Sequence, residues 1–388
     1  MKYRHVGLLS LGHLATDINQ GALPAMLPFF IAAYDLSFAA AAGLVFAANL
    51  TSTIVQPVFG FAADRFSKPW ILCAGLLLAG SGLALSGLFT DYSAIVALAM
   101  LSGIGIAAYH PQAARLVNFA AGRRKAGAMS IFGIGGTVGF AIGPLLITGA
   151  LLQWNLRGTL VLLVPVSLMC GLLLPRLDEF SSLEKAAERK GFNDIESETV
   201  DAWWPFARLT LMVVGRSILF YGMNTFIPIY WIHVLKMSET MGATALTVMA
   251  VSGIAGNLLG GSLADKYGQK RVVLMGFGLL IVLMPVFVWI SNALLAMALL
   301  VPIGICLMAT YSPTIVLGQL YLPRHVGFSS GITLGVAIAI GGAVAPVLGK
   351  IADYHGVWIS LASITFLPAV TSLLALTLPD PKITSDQR

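Results

Sequence analysis

The chain has 388 residues, 57% of them apolar and only 10% charged, with a mean hydropathy of +0.87. An ordinary soluble domain is about 45–50% apolar and about 25% charged, so this composition excludes a soluble globular protein, a disordered chain and a coiled coil, and leaves a multi-span membrane protein. The net charge of +6 lies in short basic clusters between apolar runs, which is a topology pattern and not a nucleic-acid footprint.

A spanning helix takes about 20 apolar residues. Taken in order, the apolar runs predict twelve spans over 6–33, 39–63, 70–89, 93–118, 126–152, 158–175, 206–235, 243–264, 272–290, 294–321, 328–350 and 357–378. All are expected to be helices, because lipid leaves every backbone polar group to be bonded within its own segment. No short alternating strands of a β-barrel appear. The first run carries His13, Asp17, Asn19 and Gln20 behind Lys2 and Arg4, too polar for a signal-peptide core. Cys73, Cys170 and Cys306 sit far apart in apolar stretches and read as small buried hydrophobes.

Residues 176–205 form the one long break, with the mixed run Glu184-Lys185-Ala186-Ala187-Glu188-Arg189-Lys190. It reads as a cytoplasmic linker with a short surface helix, ending at the interfacial pair Trp203-Trp204. The expected organisation is a six-helix bundle over 1–175, the linker, and a second six-helix bundle over 206–388. With the N-terminus in the cytoplasm, the inner loops hold Lys2, Arg4, Arg65, Lys68, Arg123, Arg124, Lys125, Arg176, Lys185, Arg189, Lys190, Lys266, Lys270, Arg271, Arg324, Lys382 and Arg388. The outer loops hold only Arg157, Lys236 and Lys350, so both termini are expected inside.

The halves repeat. Gly60-Phe61-Ala62-Ala63-Asp64-Arg65 matches Gly261-Ser262-Leu263-Ala264-Asp265-Lys266 at an offset of 201. Ala108-Tyr109-His110-Pro111 matches Thr310-Tyr311-Ser312-Pro313 at 202, Pro144 matches Pro346 at 202, and Pro28 matches Pro228 at 200. Parallel six-helix repeats belong to transporters whose substrate site lies between the repeats near the bilayer midplane.

The pattern G-x-x-x-D-[RK]-x-G-x-[RK]-[RK] after an even-numbered span resembles the signature of the major facilitator superfamily. Gly261, Asp265, Lys266, Gly268, Lys270 and Arg271 nearly complete it; the first copy keeps Gly60, Asp64, Arg65 and Lys68 but has Ser67 for the glycine and Pro69 for a basic residue. Within that superfamily, His13-x-x-x-Asp17-x-x-Gln20 in span 1 and His110-Pro111-x-x-x-Arg115 in span 4 look like the fosmidomycin resistance proteins. That resemblance implies a proton-driven exporter of small drugs in a bacterial inner membrane, working without a cofactor. It also implies that spans 1, 4, 7 and 10 line the central cavity, and that Asp64, Arg65, Asp265, Lys266, Lys270 and Arg271 latch the inner face as gates.

Asp17 is the one acid placed deep in a span, roughly 16 Å from the helix start at about 1.5 Å per residue. A carboxylate there costs roughly 2.5–3.5 kcal/mol on insertion scales, and proton uptake relieves that cost. The alternative is an acid that only pins a kink or a hydrogen-bond network. His13 stands four residues earlier on the same face, with Gln20 and Pro24 continuing it; it either exchanges a proton with Asp17 or is merely hydrogen-bonded near the inner end. Pro111 is expected to kink span 4. Arg115 either converges with Asp17 and His110 or snorkels to the headgroups.

Arg216 in span 7 is either the cation that meets an anionic substrate, or a partner for an acid, or a snorkelling residue. Asn224 lies eight residues on, and Tyr109, Tyr311 and Gln319 offer further hydrogen bonds. Asn49, Thr53, Gln56 and Gly60 make a polar stripe on span 2 that either lines the cavity or bonds a neighbouring helix. Gly133, Gly135, Gly136, Gly139 and Gly143 crowd span 5, and Gly139-x-x-x-Gly143-Pro144 resembles the antiporter motif of drug exporters without its trailing glycine pair.

No G-x-x-x-x-G-K-[ST] is present, which argues against ATP as the driver. No H-E-x-x-H, cysteine metal spacing or nucleophilic triad is legible, so no metal site and no enzyme are expected. The expectation is an all-helical, twelve-span, monomeric secondary transporter. It would exchange small anionic or zwitterionic, drug-like compounds for protons, with Asp17, His13 and His110 carrying the proton. Gln20, Asn49, Tyr109, Arg115, Arg216, Asn224 and Tyr311 would meet the substrate. Export of a metabolite or siderophore, proton symport for nutrient uptake, and a passive channel remain open on the same fold.

Overall fold

The computed structural model describes residues 2–36, 38–65, 68–194 and 200–380; Ser67, Lys382, Arg388 and the side chains of Arg189 and Lys190 lie outside the described residues. Every regular element among the described residues is helical. The first six predicted spans are α1 (Tyr3–Tyr34), α2 (Phe38–Arg65), α3 (Trp70–Ser86), α4 (Tyr92–Ala121), α5 (Lys125–Trp154) and α6 (Leu163–Leu173), the last entered through a 3₁₀ turn over Asn155–Leu162. The linker holds α7 (Leu177–Asp194). Spans 7 to 9 are α8 (Trp203–His233), α9 (Glu239–Tyr267) and α10 (Gln269–Trp289).

The last three spans are interrupted. Predicted span 10 is α11 (Ala293–Ala309) followed by α12 (Tyr311–Tyr321), parted at Thr310, whose hydroxyl turns back to the Leu307 carbonyl at 2.8 Å. Span 11 is α13 (Val326–Gly331), a π-helical turn over Ile332–Val336, α14 (Ala337–Ala343) and α15 (Ala345–His355). Span 12 is α16 (Val357–Ala362) and α17 (Leu367–Thr377).

Among the described residues, nine helical runs are long and apolar enough to cross a membrane, and the run over 125–186 holds two of the predicted spans. Two spans fall outside that measure: α3 is 17 residues long, and α1, though one continuous helix, carries the polar residues around Asp17 that lower its hydropathy. Leucines such as Leu145 (76% exposed) and Leu152 (73%) clothe the outside, as lipid contact requires. Inner contacts rest on close approach of small residues. A Cβ on Gly139 would run into the Leu14 carbonyl, and one on Gly143 into the Ile18 carbonyl, so α5 lies directly on the backbone of α1. Pro111 does not break α4, which is helical from Tyr92 to Ala121.

The chain forms two compact units. One comprises 1–122, 131–200 and 323–336; the other comprises 123–130, 201–322 and 337–388. In the first, Ile18, Met26, Phe30, Leu44, Leu83 and Ile147 are packed into one apolar core drawn from five helices. In the second, the rings of Tyr230, Trp231 and Phe287 cluster at centroid separations of 5.6–6.1 Å, with Trp231 stacked on Phe287.

The linker helix differs from the expected surface helix. Phe180 and Glu184 on α7 are fully buried: the Phe180 ring meets His5 edge-on at 5.4 Å, and Glu184 reaches into α4. The mixed charges of the run hide this: Glu184 turns inward while Lys185 beside it is exposed.

Candidate functional site

Asp17 is not a lone acid. Its Oδ2 is 3.2 Å from His13 Nε2 on the same helix, and its Oδ1 is 3.0 Å from His110 Nε2 on α4. The i, i+4 spacing brings the first pair together; packing of α1 on α4 brings the second. His13 is stacked on Phe132 at 4.1 Å, and its Nδ1 lies 2.8 Å from the Phe132 carbonyl of α5. A carbonyl only accepts, so Nδ1 carries the ring proton. The His13 and His110 rings meet edge-on at 4.7 Å. Both histidines are more than nine-tenths buried. His13, Asp17 and His110 also make the one group among the described residues whose donor atoms, all within 4.8 Å of one another, have metal-binding spacing.

Gly136 makes room for this group. A Cβ there would stand 2.5 Å from His13 Nε2 and 2.6 Å from Asp17 Oδ2. Tyr109 is next to His110 and wholly buried; its hydroxyl donates to the Leu9 carbonyl at 2.7 Å, tying α4 to α1. Gln20 is half-buried, while Asn49 is exposed on α2. The polar stripe on α2 turns inward at Gln56, which packs against the π-helical turn at Gly335, and at Gly60, which packs on Gly327.

Arg115 departs from expectation. It does not pair with Asp17; its guanidinium is held by Glu184 of the linker helix at 2.6 Å and by Asp64 at 3.3 Å. Gln112 also donates to Glu184, at 2.9 Å. Arg115 thus links the linker to the first signature motif. Glu184 was missed in the sequence because nothing in its local run distinguishes it from its exposed neighbours.

The signature acids bind backbone. Asp64 accepts from the N–H groups of Gly327 and Phe328 at 2.8 and 2.9 Å, and Asp265 from those of Ala126 and Gly127 at 2.9 and 2.8 Å. These are helix starts, where free N–H groups and the helix dipole favour an anion. The adjacent bases lie elsewhere: Arg65 over the Phe61 ring at 4.6 Å, Lys266 over Tyr267 at 5.0 Å, and Lys270 on the Leu378 carbonyl at 2.5 Å. Arg271 is exposed.

In the second unit Arg216 is 3% exposed. Its Nε donates to Thr310 Oγ1 at 3.1 Å and to the Leu307 carbonyl at 3.3 Å, and its guanidinium lies over the Tyr311 ring at 4.9 Å. Among the described residues no carboxylate pairs with it. Asn224 bonds only its own helix among the contacts described here, to the Phe220 carbonyl at 2.9 Å. At the offset of 200 that relates Pro28 to Pro228, Asp17 corresponds to Ser217, the neighbour of Arg216. The two repeats therefore carry an acid and a base at nearly equivalent depth in their first helices.

An all-helical multi-span fold with ionisable groups buried inside its helices is that of a membrane protein with a polar interior. The major facilitator superfamily model matches residues 9–346, and the chain belongs to that family. It is 28% identical to the fosmidomycin resistance protein of Escherichia coli over 384 residues, covering 97% of this chain and 92% of that one. It is likewise 28% identical to the MFS-type transporter YfnC of Bacillus subtilis, covering 98% and 93%. The E. coli fucose:proton symporter FucP superposes with a TM-score of 0.73 at 15% identity, covering 98% of this chain and 100% of that one. The proton:xylose symporter XylE gives 0.71 at 13% identity, covering 98% and 96%.

Proposed function

We propose that the protein exports small anionic or zwitterionic, drug-like compounds in exchange for protons, by alternating access of the two six-span repeats, 1–175 and 206–388. The observation that carries the proton half is the pair of imidazoles on the two oxygens of Asp17 inside a span. Ionisable groups at that depth mark ion and proton pathways, and histidine changes charge near neutral pH. Asp17, His13 and His110 therefore act as one proton-holding unit. The direction of flux is drawn from the similarity to a resistance protein over nearly the whole chain.

Arg216 supports an anionic cargo. A guanidinium this buried, lying over Tyr311 and lacking a carboxylate, is a prepared seat for a carboxylate or phosphonate, which it would grip with two parallel bonds. The basic loops support an inner-membrane protein with both termini in the cytoplasm, acting as a monomer. A panel of carboxylates and phosphonates in proteoliposomes tests the reading. Opposite movement of proton and compound, abolished by an uncoupler, is expected. Co-directional movement would make it a symporter, and flux indifferent to the gradient would make it a passive facilitator.

A further inference from the structure

The contact between His13 and Asp17 is unfavourable as long as His13 is neutral. The Phe132 carbonyl holds the ring proton on Nδ1. A neutral His13 then turns the lone pair of Nε2 toward an oxygen of Asp17 at 3.2 Å, acceptor against acceptor. Something positive has to stand between them. A proton satisfies the one pair. A metal ion satisfies all three side chains, because His110 offers Nε2 to the other oxygen at 3.0 Å and all donor atoms fall within 4.8 Å.

The surroundings agree with a metal. Zinc takes imidazole nitrogen at about 2.0–2.1 Å and carboxylate oxygen at about 2.0–2.2 Å, so neighbouring ligands of a tetrahedral ion stand about 3.3 Å apart. The nitrogen–oxygen separations of 3.0 and 3.2 Å are close to that edge, while the donor set as a whole lies within 4.8 Å and would draw together on the ion. Ligand histidines characteristically donate their outer N–H to a carbonyl or carboxylate, which aims the inner lone pair, and His13 does so to Phe132. Three protein donors leave one position of a tetrahedral ion unfilled, and Gly136 packs directly on the group, where a Cβ would stand 2.5 Å from His13 Nε2 and 2.6 Å from Asp17 Oδ2.

We propose that His13 Nε2, the Asp17 carboxylate and His110 Nε2 bind one divalent transition-metal ion of the zinc type, leaving a further coordination position open. Two imidazoles and one carboxylate without thiolate favour zinc, cobalt, nickel or ferrous iron over magnesium or calcium. The site uses the residues of the proton unit but does not rest on proton exchange, since binding is read without gradient or substrate.

The test is titration of the purified full-length protein in detergent with zinc chloride by calorimetry, and with cobalt(II) by visible absorption. One ion per chain is expected, with the d–d bands of nitrogen-ligated cobalt. Affinity should fall at least tenfold in each of His13→Gln, Asp17→Asn and His110→Gln, with their thermal midpoints recorded beside the wild type. His5→Gln, at the inner end beside Phe180, should bind as the wild type does. Equal affinity in Asp17→Asn and wild type, binding lost in His5→Gln instead, or no binding at millimolar zinc would overturn the proposal. The cobalt spectrum of the wild type decides the matter even if a variant fails to fold, because bands showing oxygen ligands alone contradict it.

Discussion

Asp64 and Asp265 are the same device built twice. They are 201 residues apart, and so are the backbone donors they use: Gly327 and Phe328 for Asp64, Ala126 and Gly127 for Asp265. The glycines of the two motif copies explain the close approach. A Cβ on Gly60 would strike the Gly327 carbonyl, and one on Gly261 would lie 2.7 Å from the Ala126 carbonyl. The motif thus fixes a glycine for contact and, four residues on, an acid for the helix start. This is also why each compact unit includes a short helix start from the other sequence repeat.

The two acids differ in their arginine: Asp64 meets the buried Arg115 at 3.3 Å, while Asp265 feels the charge of Arg124. Asp64→Asn is expected to destabilise the detergent-solubilised protein by about 1.5–3 kcal/mol, the range for hydrogen bonds to charged groups. Asp265→Asn should act in the same direction by less. Thermal unfolding of the two variants checks the order.

Glu184→Ala strips Arg115 of its shortest partner and leaves Gln112 without its acceptor. Removing one member of a buried pair costs about 3–5 kcal/mol, here lessened by Asp64. The linker should become more sensitive to limited proteolysis than in wild type, with cleavage inside 177–194. An unchanged cleavage rate would mean that α7 is held by Phe180 and its apolar neighbours alone.

Gly136→Ala and Gly139→Ala separate function from packing. Both add one methyl to α5 facing α1. The Gly139 variant meets backbone and should cost about 1–3 kcal/mol of stability. The Gly136 variant meets the His13 and Asp17 side chains and should lose proton-driven transport out of proportion to its melting temperature. Parallel transport and melting assays read the difference.

Arg216→Lys keeps the charge but not the planar fork. If an anion docks there, KM for the transported compound should rise roughly tenfold in Arg216→Lys, the cost of about 1.4 kcal/mol. Arg216→Gln should raise it further for anions and not for neutral compounds. Equal loss for both classes would assign Arg216 to holding Thr310 and Tyr311.

Much of this was legible in the chain. The twelve spans follow from apolar runs, and the acid's partner His13 from helical spacing. His110 was legible only as a motif residue: nothing local shows that a side chain 93 positions from Asp17 reaches its other oxygen. Arg115 misled because its spacing from His110 matches the family motif and suggested convergence with Asp17, whereas Asp64 and Glu184, on two other helices, compete for it and win. The break at Thr310 has its sequence signal in Pro313, which cannot donate to the Ala309 carbonyl and crowds it, a signal that hydropathy alone does not carry.

The account turns on the carboxylate of Asp17 as the centre of the proton-holding unit. The most direct measurement is compound flux driven by an imposed pH gradient in proteoliposomes of wild type and Asp17→Asn, alongside gradient-independent counterflow. The account predicts that the variant folds, retains counterflow and loses the gradient-driven component. Gradient-driven flux at the wild-type rate in Asp17→Asn would contradict it.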